Sequence, residues 1–374
     1  MSELRHVHAA GAVPDAGTEL TAIDDASLSA RVIRWQATHG RHGLPWQGTR
    51  DPYRVWLSEV MLQQTQVTTV LAYYDRFLAR FPDVAALAAA PLDDVLALWS
   101  GLGYYSRARN LHRCAQVVMA EHGGRFPPHA EALARLPGIG RSTAAAIAAF
   151  CFGERVAILD GNVNRVLARA IGFESDLAEA RNVDALWERA TALLPAAGGM
   201  ARYTQGLMDI GATVCLPRAP NCLICPLVDD CAAAASGQPA RLPLKSRRLR
   251  RSARESVWLW LRWGDRHWML RRPATGVWAA LWSLPEFGDE AELRAAGERW
   301  PGMPRPLPSF THVLTHLDWT FHPRVWALPA DTPADVVGAV TAAWPEGRWH
   351  TLEEALASGV PAPLRKLLVS AAAS

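Results

Sequence analysis

Lysine is almost absent from this chain. Lys245 and Lys366 are the two lysines among 374 residues, and arginine supplies nearly all of the positive charge. Enzymes that form a Schiff base with a sugar use an amine, most often that of a lysine side chain. Because no lysine precedes residue 245, a side-chain Schiff base is excluded for the N-terminal two-thirds of the chain.

Long apolar runs are also missing. No run approaches the roughly 20 residues that a membrane-spanning helix needs, and the first twenty residues lack the apolar core of a signal peptide. With 50% hydrophobic and 20% charged residues, the composition is that of an ordinary globular protein. We expect a soluble, cytoplasmic protein without a membrane partner, in which residues 1–26 form a flexible extension.

Excess charge is largely missing as well, because the formal net charge is +3. Such a balance permits nucleic-acid binding but does not argue for it, since the location of the charge decides. One segment, RLPLKSRRLRRSARE at residues 241–255, is densely basic. A solvated linker and a direct DNA contact are both compatible with this segment.

The pattern of apolar residues divides the chain, whose length is natural for two domains. Residues 27 to about 213 have helical spacing interrupted by turn signals, and a cysteine-rich tail follows. Beyond the basic segment, SVWLWLRW and HWMLRR alternate as strands do, and eleven of the sixteen tryptophans follow residue 255. We predict an all-α domain over residues 27–234, a basic linker over 235–253 and a smaller α+β domain over 254–374.

Four cysteines lie close together in the pattern C-x6-C-x2-C-x5-C. They are Cys215, Cys222, Cys225 and Cys231. Disulfides are unusual in the cytoplasm, and zinc sites usually have two short cysteine knuckles where this chain has one. Spacing alone leaves an iron–sulfur cluster and zinc as alternatives, because both accept four cysteines. Cys114 and Cys151 lie in helical patterns and are interpreted as buried side chains.

The cysteine loop, residues 215–231, follows the motifs LPGIGRSTAAAI and LDGNVNRVLARA. Together these segments resemble the endonuclease III and MutY glycosylase superfamily, and the similarity covers about residues 30–231. The resemblance implies a helix-hairpin-helix DNA glycosylase fold. It also implies that the four cysteines bind a [4Fe–4S] cluster with a structural or DNA-sensing role. The partner is then double-stranded DNA, bound by a monomer.

Gly138 and Gly140 stand two residues apart in the segment LPGIG. Two such glycines allow a tight turn whose amide N–H groups, next to a helix N-terminus, bind a phosphate oxygen. An ordinary turn between helices is the alternative. The resemblance to a helix-hairpin-helix element favours contact with the DNA backbone.

The segments SEVMLQQT and LDGNVNRVL resemble the MutY signature motifs. Adenine leaves its sugar when a ring nitrogen is protonated and the cationic sugar is stabilised, which calls for one neutral acid and one carboxylate. Such an acid needs a pKa raised by apolar surroundings. The resemblance assigns Glu59 as the general acid and Asp160 as the carboxylate near the sugar. A surface glutamate and a helix N-cap are the alternatives for these two residues.

Further positions match the MutY branch residue by residue. Trp46 and Gln47 would line the adenine pocket with Leu62, and Gln205 would hydrogen-bond the extruded base, although Thr204 replaces the more usual Asn. A second set would wedge into the duplex or touch the partner base, at a site where flipping costs stacking energy. This set is Gln64, Thr65, Leu102 and Tyr104, and core packing is the alternative for the last two.

The segment after the hairpin also bears on the reaction. Bifunctional relatives carry a lysine where this chain has Ser142, which together with Asn162 is assigned to the substrate site. The missing lysine predicts a glycosylase with little or no lyase activity.

The C-terminal domain is implied to be Nudix-like and to recognise 8-oxoguanine. The Nudix catalytic array of acids is absent from GVWAALWSLPEFGDEAELRAAGERW, so nucleotide hydrolysis is not expected. The segment THVLTHLDW resembles the recognition loop, with Leu314, Thr315 and His316 where the family has Phe-Ser-His. Thr315 and His316 are therefore assigned to the lesion, and the loss of the aromatic leaves the strength of discrimination open.

Two other functions are alternatives to adenine release. An endonuclease III-type lyase acting on oxidised pyrimidines is opposed by the missing lysine and by the long second domain. A non-catalytic binder of damaged DNA is opposed by the presence of both Glu59 and Asp160. The resemblance implies a base-excision-repair enzyme that releases adenine opposite 8-oxoguanine or guanine by acid-assisted hydrolysis of the N-glycosidic bond.

Overall fold

The computed structural model describes residues 27–246 and 250–372, and for residues 371 and 372 it describes the backbone. The predicted N-terminal extension and residues 247–249 of the predicted linker lie outside these ranges. The chain divides into two compact units. The first comprises Met1–Arg50, Pro128–Ala130 and Arg141–Ser246, and the second comprises Asp51–Pro127, Glu131–Gly140 and Arg247–Ser374.

Residues 27–246 form helices, as the apolar spacing predicts. The α-helices are α1 (Leu28–His39), α2 (Pro52–Leu62), α3 (Val67–Arg80), α4 (Val84–Ala89), α5 (Leu92–Trp99), α6 (Ser106–His122), α7 (Ala130–Leu133), α8 (Arg141–Ile147), α9 (Gly161–Ala170), α10 (Ala180–Ala192), α11 (Met200–Asp209) and α12 (Ala232–Ala235). Two π-helical turns, Ala148–Phe152 and Ile210–Val214, continue α8 and α11. Short 3-10 turns occupy Cys222–Ile224, Val228–Asp230 and Pro239–Arg241.

Helices α1 and α11 of the first unit pack closely together. A Cβ atom on Gly206 would lie 2.6 Å from Cγ1 of Val32, so the contact requires glycine at this point of α11. Apolar side chains of α9, α10 and α11 complete the core of this unit, among them the buried Leu167, Leu186 and Leu207. The close approach holds the C-terminal end of α11 near the residues that follow α1.

The helical part of the second unit has an aromatic core. The side chain of Asp51 caps α2 by accepting the Tyr53 N–H at 2.9 Å, and the buried Tyr53 hydroxyl donates to the Phe81 carbonyl at 2.7 Å. Phe77 packs edge-on against Trp99, with ring centroids 6.0 Å apart. Among the described residues, no helix has the length and apolar character needed to cross a membrane.

The predicted burial of the two isolated cysteines is correct for one of them. Cys114 on α6 is fully buried, and burial raises the pKa of its thiol to about 12. Cys151 is only partly buried, because it lies in the π-helical turn near the end of this helical segment.

The C-terminal part of the second unit is a sheet flanked by helices, which confirms the predicted change to α+β structure. Its strands are β1 (Ser252–Trp263), β2 (Arg266–Arg271), β3 (Trp282–Ser283), β4 (Glu286–Phe287), β5 (Arg305–Pro306), β6 (Phe310–Val313), β7 (Leu317–Leu328) and β8 (Arg348–Thr351). Its helices are α13 (Glu290–Ala296), α14 (Ala334–Thr341), α15 (Leu352–Ala357) and α16 (Ala362–Ala372).

Strands β1 and β7 are the long central pair of this sheet. They run parallel over twelve residue pairs, from Ser252 opposite Leu317 to Trp263 opposite Leu328. The order along the sheet is β3-β2-β1-β7-β5, with β4 added to β1, β6 to β7 and β8 to β2. Strand β6 pairs with β7 in the antiparallel direction, so residues 314–316 form the turn between them.

Tryptophans fill the interior of this domain. The rings of Trp278 and Trp319 stack, with centroids 5.2 Å apart and an angle of 6° between their planes. The ring centroids of Trp258 and Phe321 are 4.0 Å apart. The buried indole of Trp319 donates to the Ser256 hydroxyl at 3.0 Å, which satisfies its one polar group. The rigid aromatic core supports the turn between β6 and β7.

The C-terminal domain contacts the helical part of the second unit directly. The Tyr105 hydroxyl donates to the Val360 carbonyl at 3.1 Å, and Arg109 donates to the Ala279 carbonyl at 2.8 Å. Arg271 forms an ion pair with Asp93 at 2.7 Å. These contacts place the domain against α5 and α6.

Candidate functional site

The two candidate catalytic acids lie on different units. Glu59 is half-buried in the last turn of α2 in the second unit. Asp160 is the N-cap of α9 in the first unit, and its carboxylate accepts the Val163 N–H at 2.7 Å. The N-cap interpretation of Asp160 is therefore correct as a structural fact. Its catalytic assignment stays a prediction, because a helix cap alone does not show a role in chemistry.

Burial dominates the environment of Asp160. Desolvation raises the pKa of its carboxyl above the ordinary value, and the N–H groups of Val163 and Asn162 and the charge of Arg165 oppose that shift. A carboxylate under such opposing influences is poorly hydrated but anchored in one position.

Neighbouring predicted residues hold the backbone around Asp160. The hydroxyl of Ser142 accepts the N–H of Leu159 at 3.1 Å, one residue before the aspartate. Oδ1 of Asn162 accepts a hydrogen bond from Nη2 of Arg165 at 2.9 Å. Where bifunctional relatives are expected to carry an amine, this chain therefore has a hydroxyl that fixes the chain leading to Asp160.

Gln205 is oriented by a buried acid that the sequence analysis missed. Nε2 of Gln205 donates to Oδ1 of Asp209 at 2.8 Å, and Asp209 is completely buried. Arg41 donates to the same carboxylate through its side chain at 2.7 Å and its backbone N–H at 3.0 Å. Because a carboxylate only accepts, the Gln205 amide must turn its carbonyl oxygen away from Asp209.

The spacing of QGLMD is the sequence signal that could have indicated Asp209. Gln205 and Asp209 stand four residues apart on α11, so they share a face of the helix. Arg41 lies 168 residues away in sequence, and nothing in the local pattern indicates that pairing.

Trp46 and Gln47 lie in the turn that follows α1. Trp46 is buried, with 8% of its surface exposed. Oε1 of Gln47 accepts the backbone N–H groups of Gly43 and Leu44, both at 3.2 Å. The Gln47 side chain therefore stabilises its own turn, and its contact with a base stays a prediction.

The second set of predicted residues lies in two loops of the second unit. The first loop follows α2 and contains the exposed Gln64 and the half-buried Thr65, next to the half-buried Leu62. The second loop links α5 to α6 and contains the buried Leu102 and the exposed Tyr104. The core-packing alternative is thus supported for Leu102 and not for Tyr104.

Both exposed residues have left-handed backbones. Gln64 has φ of 55° and Tyr104 has φ of 48°. Side chains other than glycine rarely adopt this conformation, which costs on the order of 1–3 kcal/mol at each position. Such strain at two exposed polar or aromatic residues marks a site whose shape is imposed by its surroundings.

Arg107, on the first turns of α6, connects the two loops. It is 8% exposed, and its Nη1 and Nη2 groups donate to uncharged oxygens on both segments. The acceptors are Val60 O (2.8 Å), Met61 O (2.9 Å), Gln63 O (2.6 Å), Thr65 Oγ1 (3.1 Å), Leu102 O (3.3 Å) and Gly103 O (3.2 Å). Burial lowers the pKa of this guanidinium to about 10, so it stays charged at neutral pH.

The predicted lesion-recognition residues lie in the turn between β6 and β7. Thr315 and His316 are both exposed there, and the His316 carbonyl accepts the Ser252 N–H at 3.0 Å. The Tyr104 hydroxyl and the Thr315 hydroxyl are hydrogen-bonded at 3.1 Å. Two residues that the family resemblance assigns to DNA contacts, 211 positions apart, therefore meet at one surface of the second unit.

The glycine hairpin has the geometry that its sequence predicts at one position. Gly138 has φ of 75°, and a Cβ atom there would lie 2.5 Å from Cβ of Asn110. Gly140 has open space around it, which would allow a large ligand such as a phosphate to approach its backbone.

The four cysteines of the loop line one pocket together with side chains of α9 and of the loop itself. The pocket walls are largely apolar and include Val166, Ile210 and Leu227. Nη1 of the buried Arg169 donates to Sγ of Cys215 at 3.3 Å. Among the described residues, no three His, Cys, Asp or Glu side chains lie close enough together to hold one metal ion.

Comparison with known families agrees with this architecture. Residues 57–190 match the HhH-GPD superfamily of base excision DNA repair proteins, and residues 257–370 match the NUDIX domain. The fold and the candidate site thus define a helix-hairpin-helix base excision repair protein with a Nudix-like domain at its C-terminal side.

Individual relatives narrow this class. The chain is 33% identical to the adenine DNA glycosylase of Buchnera aphidicola subsp. Acyrthosiphon pisum (strain APS), covering 91% of this chain and 96% of the relative. It is 33% identical to the Homo sapiens adenine DNA glycosylase, covering 90% of this chain and 72% of that protein. The chain belongs to the adenine DNA glycosylase family and is accordingly a DNA N-glycosylase, a hydrolase of N-glycosidic bonds.

A solved structure supports the fold of the helical part. A thermostable thymine-DNA glycosylase has a TM-score of 0.51 and 32% identity with this chain. The match covers 56% of this chain and 95% of that structure. The predicted helix-hairpin-helix glycosylase fold with a Nudix-like domain is confirmed, whereas the exact domain boundaries stay a prediction.

Proposed function

We propose that this protein removes adenine mispaired with 8-oxoguanine or guanine from double-stranded DNA. The observation that carries the proposal is the fixed amide of Gln205. Its carbonyl oxygen is turned away from Asp209, where it can accept from the 6-amino group of an extruded adenine. Guanine carries a carbonyl oxygen at that position, so the same amide orientation discriminates against it.

In the proposed reaction, Glu59 protonates a ring nitrogen of adenine and Asp160 stabilises the cationic sugar. Protonation is needed because adenine leaves poorly as an anion, and the carboxylate is needed because positive charge develops at the anomeric carbon. The anchored, desolvated carboxylate of Asp160 supports this role. Trp46, Gln47 and Leu62 would line the base pocket, with Ser142 and Asn162 holding the segment around Asp160.

The second unit would hold the distorted duplex. Gln64, Thr65, Leu102 and Tyr104 would occupy the space left by the extruded base, and Gly138 and Gly140 would contact the phosphate backbone. Thr315 and His316 would contact 8-oxoguanine, since they are exposed beside Tyr104. We place the glycosylase domain at residues 27–234 and the recognition domain at 254–374, in a cytoplasmic monomer.

The cysteine loop fits a [4Fe–4S] cluster. Its four cysteines line one largely apolar pocket, and the Arg169 N–H directed at Cys215 would stabilise a thiolate there. A four-iron cluster also holds its cysteines farther apart than a single ion does, in keeping with the absence of a single-ion site among the described residues. When bound, the cluster would supply structural support or DNA sensing, while Cys215, Cys222, Cys225 and Cys231 hold it.

Ser142 also leads us to propose a glycosylase without an efficient lyase step. No lysine lies before residue 245, and the Ser142 hydroxyl is engaged by the Leu159 N–H. Strand cleavage through a Schiff base at the abasic sugar would therefore lack its side-chain amine. The product would be an intact strand with an abasic site.

The test is single-turnover base release from duplexes containing A:8-oxoG, A:G, A:T or thymine glycol, with alkali and without. We expect strand cleavage at A:8-oxoG and A:G only after alkali, and a loss of about a thousandfold in Glu59→Gln, within the range of acid–base catalysis. Glu121→Gln, an exposed glutamate of the same unit, is the matched control. Adenine release by Glu59→Gln at the wild-type rate, or strand cleavage without alkali, would contradict the proposal. Iron and inorganic sulfide are measured in each preparation to test for the cluster.

A further inference from the structure

The two loops that carry Gln64 and Tyr104 share one buried cation. Arg107 donates to both loops, and its guanidinium also lies 5.4 Å from the centroid of the Tyr104 ring. The Tyr104 carbonyl accepts the backbone N–H of Arg107 at 2.8 Å. A single side chain therefore fixes the end of α2, the loop after it and the loop before α6.

The carbonyl groups that accept from Arg107 explain why its buried guanidinium is stable at the end of α2. Val60 and Met61 belong to the last turn of α2 and Gln63 is its C-cap, so their carbonyls form the negative end of the helix dipole. The last carbonyls of a helix generally need donors from outside the helix. The planar fork of arginine supplies several donors at once, which a lysine ammonium does not match in geometry.

The side-chain hydrogen bonds of Arg107, here called the Arg107 clamp, lie next to the two residues with left-handed backbones. Gln64 lies between two of the acceptors, Gln63 and Thr65, and Tyr104 directly follows a third, Gly103. Left-handed conformations at exposed residues persist only where the surroundings hold them. Without the clamp, both loops would relax toward commoner conformations and would have to be ordered again when DNA binds.

We propose that Arg107 is a positioning residue for mispair recognition, which presets the Gln64 and Tyr104 loops in the shape that enters the duplex. The inference rests on the proposed function, since it assumes that these loops replace an extruded base. Preorganisation strengthens binding by removing the cost of ordering loops on contact. Arg107 should therefore affect binding to distorted DNA more than binding to intact duplex.

Arg107→Lys tests this, because it keeps the charge and removes the fork. The probes are a duplex with uncleavable 2′-fluoroadenosine opposite 8-oxoguanine and an intact A:T duplex at the same salt concentration. We expect Kd for the first to rise at least tenfold, or ~1.4 kcal/mol, and Kd for the second to change less than twofold. Arg155→Lys, which donates to the Pro195 and Leu194 carbonyls in the other unit, should change neither value.

A double-mutant cycle separates positioning from general stability. If Arg107 acts through its loops, Gln64→Ala combined with Arg107→Lys weakens lesion binding less than the sum of the single effects. Additive effects, or an equal weakening for both duplexes, would overturn the inference. Should Arg107→Lys not fold, Thr65→Val removes one acceptor, and unchanged lesion affinity there would overturn it.

Failure of the proposed function gives a different result. In that case the wild-type protein itself would release no adenine from A:8-oxoG. Failure of the present inference would leave wild-type release intact and show Arg107→Lys binding the lesion duplex as the wild type does.

Discussion

The helical part and the C-terminal domain place their candidate functional residues in opposite ways. In the helical part, buried polar groups hold them: Asp209 orients Gln205, and Arg107 fixes the loops around Gln64. In the C-terminal domain, Thr315 is exposed in a turn above a core of stacked tryptophans. Breaking a covalent bond requires desolvated groups that do not move, whereas contact with a second base requires an accessible surface on a rigid support.

Of the variants that test this comparison, substitution of the buried Asp209 should lower the rate of adenine release most. Asp209→Asn removes the charge that Arg41 pairs with and weakens an acceptor of the Gln205 amide. A hydrogen bond to a charged group contributes about 2 kcal/mol, so we expect roughly a thirtyfold lower rate of adenine release. Single-turnover kinetics, well below the melting temperature of the variant, provides the measurement.

The control for Asp209 is an exposed pair of the same chemistry. Arg80 and Asp94 form an ion pair at 2.8 Å, with 43% of the Asp94 side chain exposed. Exposed pairs contribute about 0–1 kcal/mol, so Asp94→Asn should release adenine at the wild-type rate. Equal rates for both variants would show that burial of the polar network does not matter to the chemistry.

A second prediction concerns the one buried histidine of the C-terminal domain among the described residues. His267 accepts the Trp260 indole N–H at 2.9 Å, and burial lowers its pKa to about 4. The unfolded chain has a His pKa near ~6.5, so it binds a proton that the folded state does not. Stability is therefore fully present above that pH and declines as the pH falls toward 4.

Urea unfolding followed by tryptophan fluorescence checks this decline. Between pH 7 and pH 5 we expect the wild-type domain to lose on the order of 2 kcal/mol. His267→Gln keeps an acceptor for Trp260 without titrating, and should lose much less. The exposed His122 serves as the control, because His122→Gln should follow the wild type. A pH dependence unchanged by His267→Gln would show that titration of His267 does not contribute to the stability of this domain.

Local patterns predicted what local forces determine. Helical periodicity, the cap at Asp160 and the change to strands near residue 254 all arise from neighbours in sequence. Asp209 and Arg107 were missed because their partners are distant: Arg41 lies 168 residues from Asp209, and Val60 lies 47 from Arg107. An acid or an arginine within a helix looks like a surface residue until the fold supplies its partners.

The left-handed backbones of Gln64 and Tyr104 likewise could not be predicted from the sequence. Neither residue type favours a positive φ, so no turn signal marks these positions. The motif QQT indicated only that the segment resembles a family signature. The hydrogen bonds that Arg107 donates beside these two positions exist only in the folded chain.

The smallest effect is expected at Thr315, because this candidate residue is exposed, unlike the buried groups of the helical part. Thr315→Val removes the hydroxyl that meets Tyr104 and keeps the shape of the side chain. An exposed neutral hydrogen bond contributes about 1 kcal/mol, so we expect the rate preference for A:8-oxoG over A:G to fall roughly fivefold. Thr311→Val is the matched control, since the Thr311 hydroxyl meets that of Thr320 at 2.9 Å on the neighbouring strands. If both variants lower the preference equally, the effect belongs to the sheet as a whole and not to a recognition residue in the turn.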